Sequence, residues 1–301
     1  MPSDIIQWFP GHMAKTRRMI KECLPLVDVV IEILDARIPG SSKNPESDRL
    51  IAGKPRLFLL SKASLASAGA SRIWKQHYES TGAKCIVCDF ISGQGMNEIT
   101  PAIKELVSEK IDRNKERGMA GKSIRAMVIG IPNVGKSSFI NKFSGTKKAK
   151  VENRPGVTLD KQWVKTPQGV DLLDMPGVLW PKFEDRTVGE NLAITGAIKD
   201  VVLNTDEIAV ALCGRLRDIA PDLLCARYKL KDADISDASP YEIFEMVGRK
   251  RGFLVSGGEI DTDRTASTLL DEFRSAKIGR ITLEMPPKEK IKETENDNAE
   301  L

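Results

Sequence analysis

The sequence predicts a mostly parallel β-sheet covered by helices, followed by a smaller region built from helices alone. Apolar strand-like runs alternate with amphipathic stretches through the first 180 residues, the pattern of strand–helix units feeding a parallel sheet. Some of those runs, 27–34 among them, are almost wholly apolar, as a strand buried on both faces requires. After Pro181 the strand signals stop and only helical stretches continue.

In chain order, strands are expected over 27–34, 56–60, 84–90, 124–130, 162–166 and 170–173, with helices over 12–23, 70–80, 96–112 and 135–144. Further helices are expected over 187–199, 206–216, 241–251 and 264–277. In the last of these Ala266, Leu269, Leu270, Phe273 and Ala276 recur at helical spacing, leaving Arg264, Arg274 and Lys277 off the stripe. Residues 111–125 turn polar and basic and read as a solvated linker in preference to an RNA-contacting arm. From Pro286 onward the chain is charged and lacks aromatics, so it is expected to be disordered.

Composition narrows the class. The 301 residues are 41% hydrophobic and 29% charged, which excludes a disordered or collagen-like chain. A net charge of +4 permits nucleic-acid binding without demanding it. No apolar run approaches the roughly 20 residues that span a bilayer, and the N-terminus has the pattern of neither a leader nor a transit peptide. The five cysteines have no framework spacing. Cys85 and Cys88 lie in an apolar run and read as a buried, reduced pair ahead of a metal or redox site. A soluble, cytoplasmic protein is expected.

The strongest motif is G-I-P-N-V-G-K-S, Gly130 to Ser137, which matches G-x-x-x-x-G-K-[ST] between an expected strand and an expected helix. Backbone N–H groups of such a loop turn inward around a phosphate, and the helix N-terminus favours the anion. The loop places Asn133, Val134, Gly135, Lys136, Ser137 and Ser138 at the phosphates. Lys136 would reach the β- and γ-phosphates and Ser137 would give its hydroxyl to Mg²⁺. Downstream, R-P-G-V-T (Arg154 to Thr158) occupies the position of a first switch, where Thr158 closes over Mg²⁺ and the γ-phosphate. L-L-D-M-P-G follows, with Asp174 placed 37 residues after Ser137 for the metal's water shell and Gly177 for a γ-phosphate oxygen. Val178 stands where a Ras-like enzyme carries the Gln that orients water.

No guanine-reading N-K-x-D follows Gly177; instead S-K-A-S (Ser61 to Ser64) ends an apolar run upstream of the phosphate loop. With F-P-G-H-M (Phe9 to Met13), D-A-R-I-P (Asp35 to Pro39), G-Q-G-M-N (Gly93 to Asn97) and F-R-S-A-K-I-G-R-I-T-L-E (Phe273 to Glu284), the sequence resembles the circularly permuted GTPases, specifically the ribosome biogenesis GTPase A family, also called YlqF. The resemblance covers about residues 5–285. It implies a Ras-like P-loop domain with permuted motif order (residues 1–180), a helical RNA- or ribosome-contacting domain (181–285) and a tail (286–301). It further implies GTP hydrolysis coupled to late assembly of the large ribosomal subunit, with Mg²⁺ and K⁺ as cofactors. The expected partner is the large-subunit precursor and its rRNA, without membrane or DNA, the protein being monomeric off the ribosome. Under this resemblance His12 replaces the missing Gln by orienting the water, a role an imidazole can fill; the alternative is a helix cap. Asn133 resembles the K⁺ ligand of potassium-activated GTPases.

The base-reading segments depart from the pattern. Ser64 replaces the Asp whose carboxylate would accept two hydrogen bonds from guanine, a loss worth about 2–4 kcal/mol. Ser61 replaces the Asn that braces the loop, a role the shorter side chain is expected to lose, while Lys62 remains to pack along the base. Where GTPases often carry S-A, this chain has Asp89, Phe90 and Ile91 before Ser92; Asp89 is a candidate substitute reader. Three functions follow: an assembly GTPase, a degenerate module that docks on rRNA with weak or base-unselective nucleotide binding, and an NTPase of relaxed base choice. Lys147, Lys148, Lys150, Arg249, Lys250 and Arg251 are candidate rRNA contacts.

Overall fold

Six strands form one sheet in the order β3-β2-β1-β4-β6-β5. The structure is a computed structural model describing residues 10–51, 53–119, 121–145, 162–177, 185–198 and 204–287, with 10–15 as backbone only. The strands are β1 Val29–Asp35, β2 Arg56–Ser61, β3 Lys84–Val87, β4 Ile124–Gly130, β5 Gln162–Val164 and β6 Val170–Asp174. All pairings are parallel except that of β5 with β6.

The near-continuous apolar runs have the expected cause. Along β1, Val29, Ile31 and Ile33 enter one core cluster, while Val30 and Leu34 pack on the other side. In β4, Ala126 and Val128 face the first cluster and Met127 and Ile129 the second. Alternate residues of a strand point to opposite faces, so burying both faces favours apolar residues along nearly the whole strand, Glu32 of β1 being an exception.

The helices are α1 Pro10–Cys23, α2 Ser47–Leu50, α3 Ala68–Ser80, α4 Met96–Leu106, α5 Ser108–Glu116, α6 Lys136–Ser144, α7 Arg186–Ile194, α8 Thr205–Ile219, α9 Pro221–Tyr228, α10 Asp232–Ile235, α11 Pro240–Lys250 and α12 Thr262–Arg274. The caps are legible: Ser67, Asn204 and Asp261 accept the N–H three residues on, and Ser239 with Glu242 closes a capping box ahead of Pro240.

Some expectations change. The single helix over 96–112 is two, because Val107 is buried and leaves helical geometry at φ −118° and ψ 20°. The polar stretch 111–125 is not all linker: α5 runs to Glu116, with Lys115 paired to Asp112 one turn back. Strand β3 stops at Val87, since Asp89 folds back onto the N–H groups of Ile91 and Ser92. Helices α2, α9 and α10 are four to eight residues long, too short for periodicity to reveal. Residues 288–301 of the tail expected from Pro286, and the segment carrying Lys147, Lys148 and Lys150, lie outside the described residues.

The chain runs β1 to β2 to β3 on one side, then returns to place β4 against the other edge of β1. Such a reversal opens a crevice at the carboxyl ends of the strands, where open α/β sheets bind ligands. Helices α7 to α12 follow the sheet, and Leu192, Leu212, Phe244 and Phe273 share one apolar cluster with Val128 and Leu172. Residues 281–284 then return to the crevice: the N–H of Leu283 donates to the Arg37 carbonyl at 2.8 Å, and the Thr282 hydroxyl to that of Ala36 at 3.0 Å. The Trp74 indole donates to the Glu284 carbonyl at 3.0 Å. Cys85 and Cys88 are buried free thiols, and burial pushes both their pKa values up.

Candidate functional site

Every group singled out for nucleotide chemistry within the described residues, apart from the first helix, lies at a strand's carboxyl end or just beyond. Gly130 ends β4, Ser61 ends β2, Asp174 ends β6 and Asp89 follows β3 by two residues. At Gly130, φ is +154° and a Cβ would come within 2.7 Å of the Ile33 carbonyl oxygen, so only glycine lets the loop leave the sheet here. At Gly177 a Cβ would stand 3.0 and 3.1 Å from the Pro132 backbone and 2.8 Å from the Lys136 ammonium, so a side chain here would press on the phosphate loop.

The Lys136 ammonium donates to the carbonyls of Gly130 at 3.0 Å and Ile131 at 2.9 Å, curling over its own loop. Burial pushes its pKa down to about 8 against the pull of Asp174. Burial likewise pushes the Asp174 carboxyl up, opposed by Lys136. Asp174 Oδ1 is buried and has no hydrogen-bond partner among the described residues. A buried oxygen of this kind is an acceptor awaiting a donor, and its carboxyl interacts electrostatically with Lys136, the first residue of α6, which also carries Ser137 and Ser138. Those oxygens fit Mg²⁺, a hard cation that keeps several waters. Val134 is buried in the core, and Phe90 packs on Phe139 with ring centroids 5.4 Å apart; Phe90 thus supports the phosphate-loop helix. His12 lies in α1, whose first six residues have undescribed side chains, and Thr158 and Val178 lie outside the described residues.

The base-facing side is fully bonded. Ser61 corrects an expectation: its hydroxyl lies 2.7 Å from the Val134 carbonyl and 2.9 Å from that of Leu34. It therefore braces the phosphate loop despite its short side chain, because β2 ends close enough for a hydroxyl to reach. Lys62, at φ +58°, pairs at 2.9 Å with Asp35. Asp35 is itself held by the Arg37 guanidinium through both oxygens, at 2.9 and 2.7 Å. Burial opposes ionisation of Asp35, yet Arg37 and Lys62 outweigh it and hold the carboxyl well below the usual carboxylate range. The Ser64 hydroxyl donates to Asp89 Oδ2.

Sequence reasoning did not foresee what these groups share. The C-terminal carbonyls of α7 and the turn after it accept from side chains of three segments. Arg274 of α12 takes Ala193 and Ile194, each at 2.9 Å; Arg37 takes Thr195 at 3.3 Å; and the Asn133 amide takes Gly196 at 2.8 Å. A cation at a helix C-terminus also meets the negative end of its dipole. Arg37 had one sequence signal, its place two residues past Asp35 in D-A-R-I-P; residues 193–196 had none.

A P-loop following the fourth strand, with the base-facing loop upstream after the second, defines a GTPase whose motif order is circularly permuted. The family model described as 50S ribosome-binding GTPase matches residues 125–225, the part that begins with β4. The chain is 46% identical to the ribosome biogenesis GTPase A of Bacillus licheniformis over 94% of its length and 99% of that protein's. It is 45% identical to that of Bacillus pumilus over 93% of this chain and 99% of that protein. The crystal structure of GNP-bound YlqF from T. maritima superposes with a TM-score of 0.61 at 25% identity, covering 91% of this chain and 99% of that one. The chain belongs to the ribosome biogenesis GTPase A family.

Proposed function

We propose that this GTPase acts in late assembly of the large ribosomal subunit, docking on rRNA of the precursor with GTP bound and leaving after hydrolysis. The observation that supports it best is the underpaired charge at the phosphate loop, Lys136 and Asp174, joined through Asn133 and Gly196 to the helical region. Residues 1–180 then form the nucleotide-binding unit and 181–285 the ribosome-facing one. Lys136 contacts the β- and γ-phosphates, and Gly177 gives its N–H to the γ-phosphate. Ser137 and Thr158, with Asp174 acting through water, would hold Mg²⁺, which when bound neutralises charge developing on the phosphates. His12 orients the attacking water. The Asn133 nitrogen donates to Gly196, and its amide oxygen would be the protein's ligand to K⁺.

Cosedimentation with large-subunit precursors tests the switch. Pelleting is expected with a non-hydrolysable GTP analogue and its loss with GDP. Pelleting that ignores the nucleotide overturns it.

A further inference from the structure

The two departures in the base-reading segments meet in space. The family pattern puts a carboxylate on the first base-facing loop, and GTPases often put a hydroxyl on the second; this chain has Ser64 on the first and Asp89 on the second. The two side chains are bonded to each other, so a hydroxyl–carboxylate bridge joins the two loops.

The exchange changes what the carboxylate can do. Asp89 Oδ1 accepts the N–H of Ile91 at 3.0 Å and of Ser92 at 2.9 Å, while Oδ2 accepts the Ser64 hydroxyl and the Ser64 N–H, the latter at 3.3 Å. A carboxylate offers about four acceptor sites, and all four are engaged within the protein. The neighbouring Asp35 is equally committed, with Oδ1 accepting from the Arg37 N–H and Nε and Oδ2 from Arg37 Nη2 and Lys62. Nor is the first loop free to re-form around a base. Arg280 holds the Ser64 carbonyl at 3.0 Å and the Ala63 carbonyl at 3.2 Å, from the returning segment near the C-terminus.

We propose that Asp89 braces the base-facing loops instead of reading guanine, so this GTPase accepts purine triphosphates without sensing the exocyclic amine. The physical reason is that amine discrimination needs an acceptor left unpaired when the amine is missing. Here Asp89 keeps all its donors whichever purine is bound. Its substrate class is then purine nucleoside triphosphates, with guanosine and inosine bound alike. This rests on the nucleotide-binding reading given above.

The test is competition of GTP and inosine triphosphate against a fluorescent GTP analogue on the full chain in Mg²⁺ and K⁺. The two affinities are expected to lie within about fivefold, because no charge-assisted pair separates them. A GTP preference of fivefold or more overturns the inference and leaves the assembly-GTPase reading standing; binding of neither triphosphate overturns both. The doubly exchanged protein, Ser64→Asp with Asp89→Ser, returns the carboxylate to the first loop. Its GTP preference over inosine triphosphate is expected to rise to about tenfold or more, and an unchanged ratio in a protein that melts cooperatively overturns the inference. Should the exchanged protein fail to fold, the wild-type ratio decides alone.

Discussion

The phosphate end and the base end of the crevice both bury charge, but they treat it in opposite ways. At the base end Asp35 has two cationic partners, each of its oxygens accepts two donors, and its pKa sits well below the usual range. At the phosphate end Asp174 keeps an oxygen with no partner among the described residues, and burial drives Asp174 up and Lys136 down, toward their neutral forms. The first arrangement is finished within the protein, whereas the second is left open among the described residues. Charge that stabilises the fold and charge that serves the ligand thus sit at the carboxyl ends of β1 and β6, on either side of β4.

Arg37→Ala should show the largest effect, because it strips the buried Asp35 of its bidentate partner and unties Thr195. Breaking such a pair costs about 3–5 kcal/mol, so urea unfolding should shift by that amount; a loss under 1 kcal/mol would remove the distinction. Lys136→Met should act in the reverse sense. GTP hydrolysis should fall about 100-fold, worth about 3 kcal/mol, while the melting temperature holds or rises, since an ammonium that burial disfavours is gone. A clear fall in melting temperature would show that Lys136 stabilises the apo fold after all.

The smallest effect sharpens the comparison with a third buried charge. Glu32 in β1 is 1% exposed, and burial pushes its pKa up to about 7 even with Arg56 3.5 Å away. Between about pH 4.5 and 7 the folded chain holds a proton that the unfolded chain has released, so stability falls as pH rises through that window. Glu32→Gln should flatten that slope and raise stability at pH 8 by about 1–2 kcal/mol. Melting curves at pH 5 and pH 8 check it, and parallel losses in mutant and wild type would refute it.

Much of this was legible in the sequence because local patterns carried it. Double-sided burial made β1 and β4 continuous apolar runs, and the phosphate loop declared itself by spacing. Ser61 was misjudged because its reach depends on how close β2 ends to Val134, a matter of sheet register. The Ser64–Asp89 bond joins residues 25 apart, and each alone looked like decay. The carbonyls at 193–196 are backbone atoms, invisible to any reading of side chains, so the meeting of Arg37, Asn133 and Arg274 there had to be seen.

The returning segment at 281–284, with Arg280 just before it, bears on the order in which the site is built. Central strands β1 and β4 are neighbours in the sheet, yet the whole β2–β3 unit is synthesised between them. Arg280 and Thr282, which hold the loop after β2 and the backbone after β1, are made more than 200 residues later than the segments they brace. Pairings so distant in sequence form slowly and late. The nascent chain therefore completes its base-facing loops only when its last helices are made, and a product cut short before Arg280 would carry an intact phosphate loop beside an unsupported one.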